Sequence, residues 1–370
     1  MPSTEATEEA RRSMQICNAC RYCEGFCAVF PAMELRRVFT NGDLNYLANL
    51  CHNCQGCFYA CQYAPPHEFG LNLPKAFAEL RSETYVEYAW PRPMAALFRR
   101  NGTAVSVATA GGITLVLLLT AWLQTPGVLF QRHVGAGAFY KIVPQGAMVW
   151  VALATTLFSV VALTIGTIRF WRDTGGGKAT SLGALGAALR DVLTLRNLGG
   201  GGDGCNDRDE GFSQTRRLYH HATFYGFLLC FASTTVAAVY DHFLRWPAPY
   251  PFFSLPVLLG TAGGIGMVVG LGGLLWIKVV ADPEPRARKL WGGEYALLVQ
   301  LWLTAATGLL LLAFRETSAM GVLLAIHLGV IFSFFVMMPY SKFVHGIYRS
   351  AALLRSAHER RTMLPIAGGH

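Results

Sequence analysis

Six stretches of this chain, at residues 102–125, 142–168, 222–241, 253–280, 295–314 and 320–340, are almost free of charge and about twenty residues long or longer. No other feature limits the fold so strongly. A helix rises about 1.5 Å per residue, so each stretch can cross a hydrocarbon core about 30 Å thick. Composition agrees: 53% of the 370 residues are hydrophobic and 14% charged, which excludes an ordinary soluble domain. The expected fold class is all-α, a polytopic membrane helix bundle of six transmembrane helices preceded by a small N-terminal helical domain.

The formal net charge of +9 would suit nucleic acid, but the basic residues cluster at the ends of the apolar runs. Membrane topology accounts for them, and no nucleic-acid partner is expected. With the N-terminal domain in the cytoplasm, the inside connections carry the basic residues of segments 92–100, 169–217, 278–289 and 342–361. The outside connections then hold Arg132, Lys141, Arg245 and Arg315. This asymmetry predicts a multi-pass protein of the lipid bilayer with both termini cytoplasmic. The opening MPSTEATEEARRS is polar and lacks an apolar core, so no cleavable signal peptide is expected.

The N-terminal domain carries CNACRYCEGFC and then CHNCQGCFYAC, each with the spacing C-x2-C-x2-C-x3-C. The thiols are Cys17, Cys20, Cys23 and Cys27, then Cys51, Cys54, Cys57 and Cys61. This is the bacterial ferredoxin pattern for two [4Fe–4S] clusters, in which the fourth cysteine of a block ligates the other cluster. The expected sets are Cys17, Cys20, Cys23 with Cys61, and Cys51, Cys54, Cys57 with Cys27. Structural zinc spreads its C-x2-C pairs further apart, and a disulfide framework suits a short secreted domain. Pro31 and Pro65 stand four residues after Cys27 and Cys61, displaced from the usual position directly after the last cysteine. Clustered thiols without a signal peptide point to the cytoplasm. Residues 74–88 have helical spacing with Pro74 suited to a first turn, and should close this domain.

The 172–217 connection contains SLGALGAALRDVLTLRNL, an amphipathic helix for the membrane surface or the cluster domain. Gly175–Thr180 lacks P-loop spacing, Gly264, Gly266 and Gly270 suit close helix packing, and Gly199–Gly202 reads as a flexible turn. With no Rossmann fingerprint, no flavin or nicotinamide of the chain's own is expected. Cys205 and Cys230 are isolated, and His52 and His67 lie beside the cluster cysteines to tune or pack. His133, His358 and His370 have no visible partner.

Ionisable side chains in or beside membrane helices are costly and mark functional sites. His220 and His221 open the third apolar run, His242 ends it, and His327 and His345 lie in and beyond the sixth. His327 and His345 are 18 residues apart, five turns of a helix and about 27 Å along one face. Antiparallel third and sixth helices would bring His220 or His221 level with His345, and His242 level with His327. Facing imidazoles are what axial ligation of haem iron requires. An inner haem b and a second, outer site are therefore expected, with Gly226, Gly329 and Gly346 making room for the macrocycle.

HHATFYGFLLCF at the third run and PYSKFVHGIYR after the sixth resemble the haem-b membrane subunits of the respiratory nitrate reductase gamma and heterodisulfide reductase type. With both cysteine blocks on the same chain, nearly the full length is similar to the tricarballylate utilisation protein B family, also called the citrate utilisation B type. The resemblance implies a bacterial inner-membrane electron carrier. It would reoxidise the FAD of a docked flavoprotein dehydrogenase, which converts tricarballylate to aconitate, and pass electrons through clusters and haem to the quinone pool. A related fused protein serves aerobic cobalamin synthesis, so the flavoprotein stays open between these two.

Tyr340, Ser341 and Lys342 are the polar candidates near the inner haem for the quinone. The expected division is 1–90 for the cluster domain, 91–350 for the haem-b membrane domain and 351–370 for a cytoplasmic tail. The rivals are a thiol-reducing membrane subunit, against which the missing CCG motif argues, and a zinc-stabilised scaffold.

Overall fold

The computed structural model describes residues 4–125, 127–176 and 180–363, and within them the chain is helical apart from turns and one isolated β-bridge, Cys205 to Ser213. Lys178, Gly177 and His370 lie outside the described residues.

The N-terminal domain is built from α1 (Glu5–Cys20), α2 (Val29–Glu34), α3 (Asn41–Leu50), α4 (Gly56–Tyr59) and α5 (Leu73–Tyr88). Local chemistry sets their ends. The Thr4 hydroxyl accepts from the Thr7 amide, and Glu5 and Glu8 face the positive end of the α1 dipole. Thr40 and Asp43 form a reciprocal capping box on α3. Asn72 caps α5, with Pro74 in its first turn as the spacing predicts. Met14, Phe30, Met33, Leu44, Leu47, Phe77 and Leu80 make the dry core.

A short helix, α6 (Ala96–Arg99), leads to α7 (Asn101–Leu123) and α8 (Gln145–Asp173). After the surface helix α9 (Leu182–Leu193) come α10 (Thr215–His242), α11 (Leu255–Val280), α12 (Trp291–Phe314) and α13 (Met320–Met337). Six of the described helices are long and apolar enough to cross a membrane, in agreement with the six runs of the sequence. Glycine sets their pairing. A Cβ on Gly226 would stand 2.8 Å from the Gly263 carbonyl, so α10 lies directly on α11. A Cβ on Gly329 would stand 2.5 Å from Ile113, so α13 lies directly on α7. These two glycines serve helix contact and leave no room for a macrocycle, contrary to the expectation from sequence; Gly346 alone of the three has open space beside it.

Two further expectations change. The sixth apolar helix does not run on to His345: α13 ends at Met337, Met338–Tyr340 forms a 3-10 turn around Pro339, and a new helix, α14 (Val344–Met363), begins. Proline lacks the amide that a continuing helix needs, so His327 and His345 do not share one helical face. Nor does the C-terminal segment trail as a tail through the described residues. Val344, Tyr348, Ala352 and Leu353 recur at helical spacing and join the core of the N-terminal domain. Glu359 accepts from Arg36 at 2.5 Å, from the Tyr46 hydroxyl at 3.0 Å and from Arg355 at 2.9 Å. Arg36 also holds Asp43 at 2.7 Å. Burial pushes the Asp43 carboxyl up, but the bonds from Thr40 and Arg36 outweigh it and leave its pKa lowered. The amphipathic helix α9 packs Ala184 and Ala188 against Ala357 of α14 and leaves Leu182, Leu185 and Leu189 exposed.

Candidate redox centres

Two narrow cavities open between the cysteine loops. Cys17, Cys20, Cys23, Cys57 and Cys61 line the first, and Cys27, Cys51, Cys54 and Cys57 line the second, so Cys57 borders both. Each therefore gathers three thiols of one block and the last thiol of the other. All eight are free of disulfides. Arg21, Asn53 and Gln55 take left-handed backbone, the strained turns by which these loops wrap around a centre.

Burial and neighbouring sulfurs push the Cys17 and Cys23 thiols up to about 12. Burial raises Cys27 as well, against the amides of Val29 and Phe30, which point at its sulfur. Four such thiolates cannot coexist without a strongly positive partner, and an iron–sulfur core supplies that charge. Among the described residues, no three His, Cys, Asp or Glu side chains converge as a single metal ion requires. Four or more cysteines around each cavity are a donor set that fits a multinuclear iron–sulfur centre.

The 195–214 segment, whose Gly199–Gly202 run reads in sequence as a flexible turn, lies over Cys54 of the second cavity. The Asn206 amide donates to the Cys54 carbonyl at 2.9 Å, and Arg216 donates to the Asn53 carbonyl at 2.6 Å. Cys205 is fully buried beside Cys54 with its thiol on the Leu198 carbonyl at 3.0 Å, so it is no exposed loop cysteine. His52 Nδ1 bonds the Leu50 carbonyl at 2.8 Å, and burial holds its pKa well below the ordinary value.

From the second cavity two arginines lead toward the histidines. Arg81 donates to the Ala48 and Cys51 carbonyls at 2.7 and 3.2 Å, and Arg349 donates to the Cys51 carbonyl at 2.9 Å. The Arg349 Nε is buried without a partner. Next to it, the His220 and His345 rings face each other with centroids 6.4 Å apart and planes at 78°. His345 Nδ1 bonds the Lys342 carbonyl at 2.5 Å, which directs Nε2 away from the backbone, and His220 Nδ1 is buried without a partner. Metal–imidazole bonds are about 2 Å, so two axial imidazoles would place their centroids roughly 6 Å apart. The pair fits an iron between its rings.

His221 turns away: its Nε2 bonds the Thr194 carbonyl at 3.1 Å. His242 and His327 are not brought together. His242 Nδ1 bonds its own helix at Ala238, 3.2 Å away, and His327 Nδ1 pairs with Thr307 of α12 at 2.9 Å. Beyond Tyr340 and Ser341, Lys342 and Lys278 clamp the buried Glu294. Burial, offset in part by Glu294, lowers the Lys342 pKa to about 8. The signal for this triad was present in sequence, since Glu294 is the one acid in the 291–314 run. Arg349 carried no signal beyond being one basic residue among many.

Six apolar helices of membrane length under a ferredoxin-like cysteine domain define a membrane-spanning protein equipped for electron transfer. The chain matches Citrate utilization protein B over residues 97–365 and the Citrate utilization protein B Fer4-like domain over residues 10–87. It is 49% identical over 361 residues to the Citrate utilization protein B of Escherichia coli, which covers 97% of this chain and 94% of that relative. The chain belongs to this family. No solved structure matches it.

Proposed function

We propose that this protein takes electrons from the reduced FAD of a docked flavoprotein dehydrogenase and delivers them to membrane quinone. When bound, [4Fe–4S] clusters and haem b accept and release single electrons. Cys17, Cys20, Cys23 and Cys61 would hold one cluster, and Cys27, Cys51, Cys54 and Cys57 the other. His220 and His345 would hold the haem, with Lys342 fixing the tautomer of His345 through its carbonyl. Arg349 holds the Cys51 loop against the histidine pair and offers its unpaired Nε to an anionic group there. The 195–214 segment keeps water from the second cavity. His242 and His327 would have to leave their present partners to hold an outer haem, so this reading has one.

The observation that carries the proposal is Arg349, which donates to the Cys51 carbonyl at 2.9 Å while its charge acts on His220 and His345. The basic residues of the cluster-domain side support a cytoplasmic position for both termini in a bacterial inner membrane. The name of the Escherichia coli relative speaks for a tricarboxylate as the flavoprotein's substrate. Anaerobic purification of the full chain tests the proposal. About eight irons and eight sulfides per chain, with a reducible haem b spectrum, are expected. A protein that binds zinc and has no visible absorption would overturn it.

A further inference from the structure

A large cavity among the described residues is lined by none of the proposed cluster or haem ligands. It has a volume of about 1490 Å³ and runs between α5, α7 and α12, from the cluster domain down to membrane level. Its upper wall is polar and mostly basic, with Arg81, Arg99, Arg100, Glu294 and Lys342. Its lower wall is apolar, with Ala110 and Ile113 of α7 facing Val299 and Leu303 of α12, and Val299 is open to the surroundings of the bundle. A polar end and an apolar exit between two membrane helices suit a ligand with a polar ring and a hydrocarbon tail.

Where the walls meet, one polar group is left unsatisfied. Gln300 is 1% exposed, in the middle of a membrane helix. Its Nε2 donates to Thr109 Oγ1 at 2.9 Å, and Thr109 spends its own proton on the Val105 carbonyl at 2.8 Å. Thr109 must therefore accept from Gln300, which fixes the amide and leaves Gln300 Oε1 buried with no donor. Such an orphan is destabilising unless a ligand satisfies it. The cavity also touches both proposed centres through single residues. Lys342 lines it while its carbonyl holds His345, and Arg81 lines it while donating to the Cys51 carbonyl.

We infer that this cavity binds the ring of a membrane quinone, with its isoprenoid tail leaving between α7 and α12. Lys342 and Arg81 donate to one ring oxygen, and Gln300 Oε1 accepts from the hydroxyl that the other oxygen becomes. The site thereby holds the reduced ring more tightly than the oxidised one, which has no proton to give Gln300. In the full reaction the ring takes two electrons, one at a time, from the reduced iron–sulfur and haem carrier proposed above. It also takes two protons, one at each ring oxygen, from water entering at the basic mouth. Both ring carbonyls become hydroxyls. The electron supply rests on the function proposed above; binding does not.

The test uses the full chain in phosphatidylcholine nanodiscs with an azido-substituted short-chain benzoquinone as probe. Photolabelling should fall on α7 and α12, and Gln300→Leu should weaken the protection given by the matching short-chain quinol about tenfold. Ser106→Trp, at an exposed lining position, should block labelling by bulk alone without disturbing the core. Labelling at α10 or α13, or binding unchanged in both variants, overturns the inference. So does loss of label when phosphatidylglycerol replaces phosphatidylcholine, because the basic mouth would then be holding a lipid headgroup. Cluster and haem spectra of the same samples judge the carrier reading separately, since labelling needs no electrons.

Discussion

Helix α10 carries histidines at both the cluster-domain side, beside α14, and the far side of the bundle, and the two sides are built in opposite ways. On the near side, Phe227 of α10 packs on Phe334 and Phe343 at 6.0 and 5.6 Å, which draws α10 toward the start of α14. His220 and His345 meet there with one ring nitrogen unpartnered and another directed by a backbone carbonyl. On the far side α10 follows α11, and His327 is taken up by Thr307. Equal sequence patterns thus end as a facing ring pair with an orphaned nitrogen and as two hydrogen-bonded side chains. A buried imidazole with a hydrogen-bond partner has no need of a metal, whereas an orphaned one is destabilising until something fills the gap.

The sharpest way to break this comparison is to remove the near pair. His345→Ala and His220→Ala should each abolish the haem b absorbance of the purified protein, while His221→Ala leaves it; survival of the band in the His220 variant would reassign the ligand. Arg349→Met should keep the haem but lower its midpoint potential by on the order of 50 mV, because a nearby positive charge favours the reduced state. Redox titration reads that shift, and an unmoved potential would reduce Arg349 to a packing role. On the far side, His242→Ala and His327→Ala should leave haem content unchanged. The His327 variant loses about 1 kcal/mol of stability with the Thr307 bond, visible in denaturation; a halved haem count in either variant would restore an outer site.

The smallest effect concerns the base on which the near side stands. The pKa of Asp43 is lowered in the folded protein, so its contribution is present above the ordinary value of 3.8 and fades as pH falls through the native one. Asp43→Asn should flatten the acid limb of the thermal stability profile. An unchanged limb would show that the Arg36–Glu359 contact alone holds α14 in place.

Much of this architecture is legible in the sequence. The cross-block grouping of thiols follows from C-x2-C-x2-C-x3-C, because spacings of three and four residues fix which sulfurs can converge. The contact between Arg36 and Glu359 was not legible, since its partners are 323 residues apart. The role of the 195–214 segment was hidden too. Its Gly199–Gly202 run reads as a flexible turn, yet Gly204, at a φ of +127° with a Cβ position 2.5 Å from the Ser213 carbonyl, is the turn that lays the segment over Cys54.

The sequence by itself determined which segments become long apolar helices and which thiols lie close together, because hydropathy and short spacings act locally. Tertiary structure alone decided that His220 and not His221 meets His345, that Gly226 and Gly329 are contact points, and that Gln300 faces a cavity with a bare oxygen. These depend on the break at Pro339 and on which helix each glycine admits. Those are matters of packing between segments far apart in the chain.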